Sequence, residues 1–134
     1  MKIEVDGQFK KFWLAYPQQW VPFYGHEIKI GKYSFCAGGT KQGIVISETT
    51  TGSRVITLPL NQLTFIMTAT REGTLDYYET FVAPMLVNAI LKSDLDKMLA
   101  EMKERIEKFG IGEMPSIEIA DDSVIIEPIS DVLN

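Results

Sequence analysis

The chain is poor in the residues that most often carry chemistry. It holds one cysteine, Cys36, and one histidine, His26, in 134 residues. A single cysteine excludes an internal disulfide, and one of each excludes a transition-metal site, which usually takes three or four such ligands. No cofactor is expected. No apolar run approaches the roughly 18 residues of a membrane helix, and the opening MKIEVDGQFKKF lacks the apolar stretch of a secretory signal. Together with the lone cysteine, these absences lead us to expect a cytoplasmic protein that does not meet a membrane. Basic residues are scarce in the second half. Residues 59–134 carry six Lys/Arg against fourteen Asp/Glu, which argues against a phosphate-binding groove there. Residues 1–58 carry seven against four, too small an excess for a nucleic-acid site. A phosphate loop is missing too. Gly38-Gly39-Thr40-Lys41 has the residue types without the spacing, and Gly38–Gly43 reads as a flexible connector between strands.

What is present points to an α+β domain over 1–134. An antiparallel β-meander in the N-terminal half (1–58) packs against two or three C-terminal helices (60–110), and 113–134 supplies an acidic short strand, hairpin or tail. The chain organises around Ile44–Leu58. Ile44, Val45 and Ile46, then Val55, Ile56 and Thr57, are strand-prone β-branched runs. Between them Gly52 suits the left-handed position of a short hairpin loop. A turn centred on Thr51 pairs Ile46 with Ile56, Ile44 with Leu58 and Glu48 with Arg54, and leaves Val45 and Val55 on a second face that is partly covered. A second hairpin, His26–Ala37, turns at Gly31-Lys32, pairing Ile30 with Tyr33 and Ile28 with Phe35 on one face, and Lys29 with Ser34 and Glu27 with Cys36 on the other.

Nearer the start, Lys2–Val5 reads as a strand and Asp6-Gly7 as a hairpin turn, although simple pairing across it would mix the faces. Residues 8–16 fit a helical stripe (Phe9, Phe12, Trp13, Tyr16) and an alternating strand (Phe12, Leu14, Tyr16); the strand is favoured. Pro17–Tyr24 reads as a connector. In the second half, Leu60, Leu63, Ile66 and Thr70 have helical spacing after a capping Asn61, with a helix ending near Glu72 and a strand over Thr64–Thr70 as the alternative. Gly73 breaks that element and Thr74 caps the next, in which Pro84 forces a kink or a split. Ser93-Asp94-Leu95-Asp96 approximates a capping box for the clearest helix. Leu95, Met98, Leu99, Met102, Ile106 and Phe109 form its apolar stripe, Lys97–Glu101, Glu101–Arg105 and Glu104–Lys108 its i,i+4 pairs, and Gly110 its stop. Ser116–Ala120 and Val124–Glu127 read as short strands around Asp121-Asp122, with a closing turn at Ile129–Leu133.

Few groupings suit catalysis. His26 and Cys36 are the one candidate nucleophile–base pair, yet the hairpin register sends them to opposite faces and sets Glu27 beside the thiol, which disfavours the thiolate. Asp76 and Glu79 share a helix face, where acids near a helix start favour the dipole; hydrolytic pairs instead oppose each other across a cleft. Asp121-Asp122 with Glu118 and Glu127 lacks calcium-loop spacing and reads as a solvated turn.

Three functional expectations follow, with the weight against an enzyme. The first is a non-catalytic interaction or regulatory domain that binds a protein partner or its own copy. It is motivated by the missing catalytic clusters and by Met67, Met85, Met98, Met102 and Met114 in the helical half. The second is a small-ligand binder or enzyme with Trp13, Trp20, Tyr24 and His26 lining a site between the aromatic N-terminal half and the helices; nine of the fourteen aromatic residues precede position 36. The third is an acidic decoy of a nucleic-acid-binding protein, suggested by the six acids and no Lys or Arg from Glu113 onward. The order of small meander, helices and acidic end resembles many short phage or mobile-element proteins in style and transfers no role to any residue.

Overall fold

The computed structural model describes residues 1–120. The architecture is α+β. Seven strands, β1 (Ile3–Val5), β2 (Lys10–Ala15), β3 (Trp20–Ile30), β4 (Tyr33–Thr40), β5 (Gly43–Glu48), β6 (Ser53–Leu58) and β7 (Glu118–Ile119), form one antiparallel sheet. Its order is β6-β5-β4-β3-β2-β7, and β1 also pairs with β3. The meander β2–β6 is the one expected, and residues 10–15 are the favoured strand.

β3 is the longest strand and does two jobs. Trp20–Gly25 pairs with β2, while His26–Ile30 pairs with β4 and its last three residues also with β1. At the changeover Gly25 and Gly38 let two backbones touch: a Cβ on Gly25 would stand 2.2 Å from the Ala37 carbonyl oxygen, and one on Gly38 2.3 Å from that of Tyr24. The sheet therefore curls, and the Ala15 amide donates to the Gly52 carbonyl at 2.9 Å, drawing the end of β2 onto the β5–β6 turn. The curl makes two cores. Phe12, Leu14, Val21 and Phe23 close inside it over Cys36 and Val45. On the opposite face Ile28, Ile30, Phe35, Ala37, Ile44 and Ile46 meet Tyr78, Val82, Ala83, Leu86, Ile90 and Leu95 from the helices. β5 is buried at all six positions, which the β-branched triplet Ile44-Val45-Ile46 suits because both of its faces need apolar side chains.

Both hairpins hold their expected apolar register: Ile44 with Leu58, Ile46 with Ile56, Ile30 with Tyr33 and Ile28 with Phe35. Gly31 and Gly52 take positive φ, +58° and +73°. A bulge after Ile46 corrects the expected Glu48–Arg54 pair, so Arg54 faces Ser47. Glu48 turns inward and caps the turn, accepting from the backbone amides and hydroxyls of Thr50 and Thr51. Arg54 reaches the Tyr16 hydroxyl instead, at 2.8 Å.

Other expectations are corrected. Asp6-Gly7 does not join β1 to β2: Ile3 faces Ile30, which removes the mixed-face conflict. The Pro17–Tyr24 connector becomes strand from Trp20. Pro22 fits because it pairs with Trp13 on one side and lies beyond His26, the first β3 residue that β4 pairs, on the other. The Gly38–Gly43 connector shrinks to Lys41-Gln42, with Thr40 paired to Gly43.

Helix α1 (Gln62–Met67) is capped by Asn61, whose Oδ1 accepts from the Thr64 amide at 2.8 Å, but it stops at Met67 rather than near Glu72. Thr70, not Thr74, caps α2 (Arg71–Tyr77). Gly73 lies inside α2 rather than ending the helix before it. A Cβ there would stand 2.4 Å from the Met67 carbonyl oxygen, so the glycine serves close packing. α2, a π turn (Tyr78–Val82) and α3 (Ala83–Lys92) run on as one helix of 22 residues. The π turn is how the chain absorbs Pro84. The wider turn, with the Ala83 amide bonded to the Tyr78 carbonyl, relieves the clash of the proline ring with the preceding turn.

α4 (Leu95–Glu107) is capped by Asp94 instead of Ser93, whose hydroxyl bonds the Ala89 carbonyl. Asp96, spared the capping role, binds Lys32 Nζ and Tyr33 Oη, both at 2.8 Å. The three expected i,i+4 pairs of α4 do not close into salt bridges. Of its apolar stripe, Leu95 is buried and Leu99 packs on the core, while Met98 is exposed. Gly110 follows at φ +69°. Strand β7 falls within the expected Ser116–Ala120; the expectations for Val124–Glu127 and Ile129–Leu133, and the Asp121-Asp122 turn, lie outside the described residues. No helix among the described residues is long and apolar enough to cross a membrane.

Candidate functional site

The alternation of β3 decides where its aromatics go. Val21 and Phe23 enter the curled core, so Trp20, Pro22 and Tyr24 share the other face, and His26, Ile28 and Ile30 continue it under the helices. Trp13 stands opposite Pro22 on the same ribbon. The chain that leaves α4 crosses this face on its way to β7, held by both indoles: Trp20 Nε1 donates to the Gly112 carbonyl at 3.2 Å, and Trp13 Nε1 to that of Ser116 at 3.0 Å. Lys11 sits over the Trp13 ring at 4.7 Å. Both tryptophans thus pin a return segment.

The four residues expected to line one site do not surround one hollow. Trp20 borders one of about 730 Å³, between the β5–β6 turn, the end of α4 and Ile111–Met114. Three of its polar groups are engaged within the protein, the indole on Gly112 and Thr50 and Thr51 on Glu48, and Lys103, Glu107 and Glu113 complete its polar lining. Tyr24 and His26 border another, about 240 Å³, with Phe9, Arg71 and Tyr78. Trp13 borders none of the described hollows.

Around His26 the rings form a chain. Phe9 stacks on Tyr24 at 6.1 Å and meets His26 edge-on at 5.6 Å, and His26 lies 6.3 Å from Tyr78. His26 is buried, with Nδ1 3.1 Å from the Asp6 carbonyl. A carbonyl only accepts, so Nδ1 carries the proton in that contact. Asp6 is held below the usual carboxylate range, first by the Gln8 amide and then by Lys10. Lys10 bridges Asp6 at 2.9 Å and Glu27 at 3.5 Å. Cys36 lies on the other side of the sheet, fully buried. Desolvation first, and the Glu27 charge second, push its thiol well up, which leaves no thiolate for nucleophilic work at neutral pH. Burial likewise raises the Tyr78 phenol. No group of three His, Cys, Asp or Glu side chains among the described residues is placed to hold a metal.

The surface that sequence reasoning missed is α1. It buries only Thr64 of its six residues. Leu63, Phe65 and Ile66 are 66, 68 and 72 % exposed, and Phe65 overhangs a hollow of about 420 Å³ with Gly39, Ile44 and Tyr78 on its walls. The signal was in the sequence: Leu63, Phe65, Ile66 and Met67 put apolar groups around most of a short helix, more than one buried face can use. No protein-family model, curated protein or solved structure matches the chain.

Proposed function

We propose that this protein is a non-catalytic interaction domain that docks another protein, its own copy included, through α1. The reading is carried by one observation: three large apolar side chains, each about two-thirds exposed or more, on one six-residue helix. A helix this short has little stability of its own in water, and an apolar patch of a few hundred Å² is commonly a contact site. The inert thiol and the internal use of both indoles and of the turn hydroxyls weigh against chemistry at the other candidates. A cytoplasmic setting accords with the single, buried cysteine.

Sedimentation of the full chain across a wide concentration range tests the reading. Leu63→Ser, Phe65→Ser and Ile66→Ser together leave the thermal transition nearly unchanged, because none of the three is in the core, and shift any dimer to monomer. A wild type monomeric at every concentration, whose aggregation and apolar-dye binding equal those of the triple variant, counts against α1 as a contact element.

A further inference from the structure

We propose that the hollow of about 730 Å³ beside Trp20 binds a small organic cation, an amine carried on an apolar or aromatic body. Its lining shares no residue with α1, so the site holds or fails whatever α1 docks.

The first argument is size. The hollow falls within the range of about 300–1,000 Å³ usual for small-ligand sites, and three pieces of chain wall it: the β5–β6 turn, the end of α4 and Ile111–Met114. The second is a fixed aromatic wall. Trp20 is tied at its nitrogen to the Gly112 carbonyl, and its ring lies so close to the turn that a Cβ on Gly52 would stand 2.8 Å from it. A ring already held in place loses little freedom when a ligand packs on it, and indole is the best aromatic partner for a cation. Half-buried Ile106, Ile111 and Met114 supply the rest of the apolar lining. The third is charge. Two carboxylates, Glu107 and Glu113, line the hollow against one ammonium, Lys103. All three side chains are exposed, and none makes a hydrogen bond or ion pair with a described residue. α4 ends here at Glu107, so the negative end of its dipole adds to the carboxylates. The sum favours a positive ligand, with its ammonium at the rim beside Glu107 and Glu113 and its apolar body against Trp20. The Thr50 and Thr51 hydroxyls are spent on Glu48. Charge and apolar contact, rather than a pattern of hydrogen bonds, therefore set the selectivity.

Titration of the full chain at neutral pH with naphthylmethylamine, naphthylmethanol and naphthoate, followed by NMR, tests this. The three probes share a ring system and differ in charge. The amine is expected to move the Gly110 and Gly112 amide signals and the Trp20 indole N–H, and to leave the Phe65 amide of α1 in place. It should bind about tenfold tighter than the alcohol, with naphthoate weaker still. Glu107→Gln with Glu113→Gln should bring the amine down to the alcohol's affinity. Neither carboxylate has a partner among the described residues to lose, and unchanged Gly43–Glu48 amide signals verify that the sheet is intact. The proposal is overturned by no shift with any probe, by equal affinity for all three, or by tightest binding of naphthoate (Lys103 selecting an anion). Shifts centred on α1, or a double glutamine variant that binds the amine as wild type does, overturn it as well.

Discussion

At the scale of single residues, the β5–β6 turn carries the tightest requirements. Gly52 takes φ +73°, and a Cβ on it would stand 2.8 Å from both the Trp13 carbonyl oxygen and the Trp20 ring. Backbone strain and overlap therefore act together. Gly52→Ala should lower unfolding stability by about 2 kcal/mol or more, measured by denaturant titration; a loss of only a few tenths would show that neither contact constrains the turn. Glu48 shows what residue pairing rules omit. Opposite-charge logic set it against Arg54, but a bulge turned it inward, where its carboxylate serves four donors of the Thr50-Thr51 turn. Charge-assisted bonds to backbone amides inside the protein outweigh an exposed ion pair, which contributes little.

At the scale of elements, α4 is tied to the meander by Asp96, which holds Lys32 and Tyr33 on the β3–β4 hairpin. Lys32, then Tyr33, keep the Asp96 carboxyl below its ordinary value of 3.8. A carboxyl lowered in the fold stabilises it at pH above that ordinary value, and the contribution is lost as pH falls through the lowered one. The unfolding midpoint of wild type should therefore drop on acidification below about pH 4 more steeply than that of Asp96→Asn, and the two should converge at the acid end. Parallel curves would mean the tether contributes nothing. Lys32 and Asp96 are both exposed, so the difference at neutral pH should be small and should shrink with salt. The elements themselves were largely legible. Both glycine turns, the Asn61 cap and the Gly110 stop rest on local rules, and each is found. What sequence could not give was non-local: that β1 skips β2 to pair with β3, and that Gly25 and Gly38 let a connector become strand.

At the scale of the whole molecule, the fold is a curled sheet with a core on each side, whose strand β5 is buried along its whole length and whose first helix is largely exposed. Of the expected Val45–Val55 face, Val45 proved to lie in a second core because β2 folds back over it, a contact set by the bend in β3, while Val55 packs against the helix-covered core instead. The expected aromatic site dispersed for the same reason: alternation along β3 puts Trp20 and His26 on one face, but some six residues and roughly 20 Å apart, under different covers. The contrast between β5 and α1 is what the account rests on. Hydrogen exchange of the full chain, followed by mass spectrometry at low and high protein concentration, tests it most directly. We expect Gly43–Glu48 amides to exchange last at both concentrations, and Gln62–Met67 amides to exchange early when dilute and slow markedly when concentrated or when a partner is added. Protection of α1 equal to that of β5 in dilute solution, or fast exchange in β5, would contradict it.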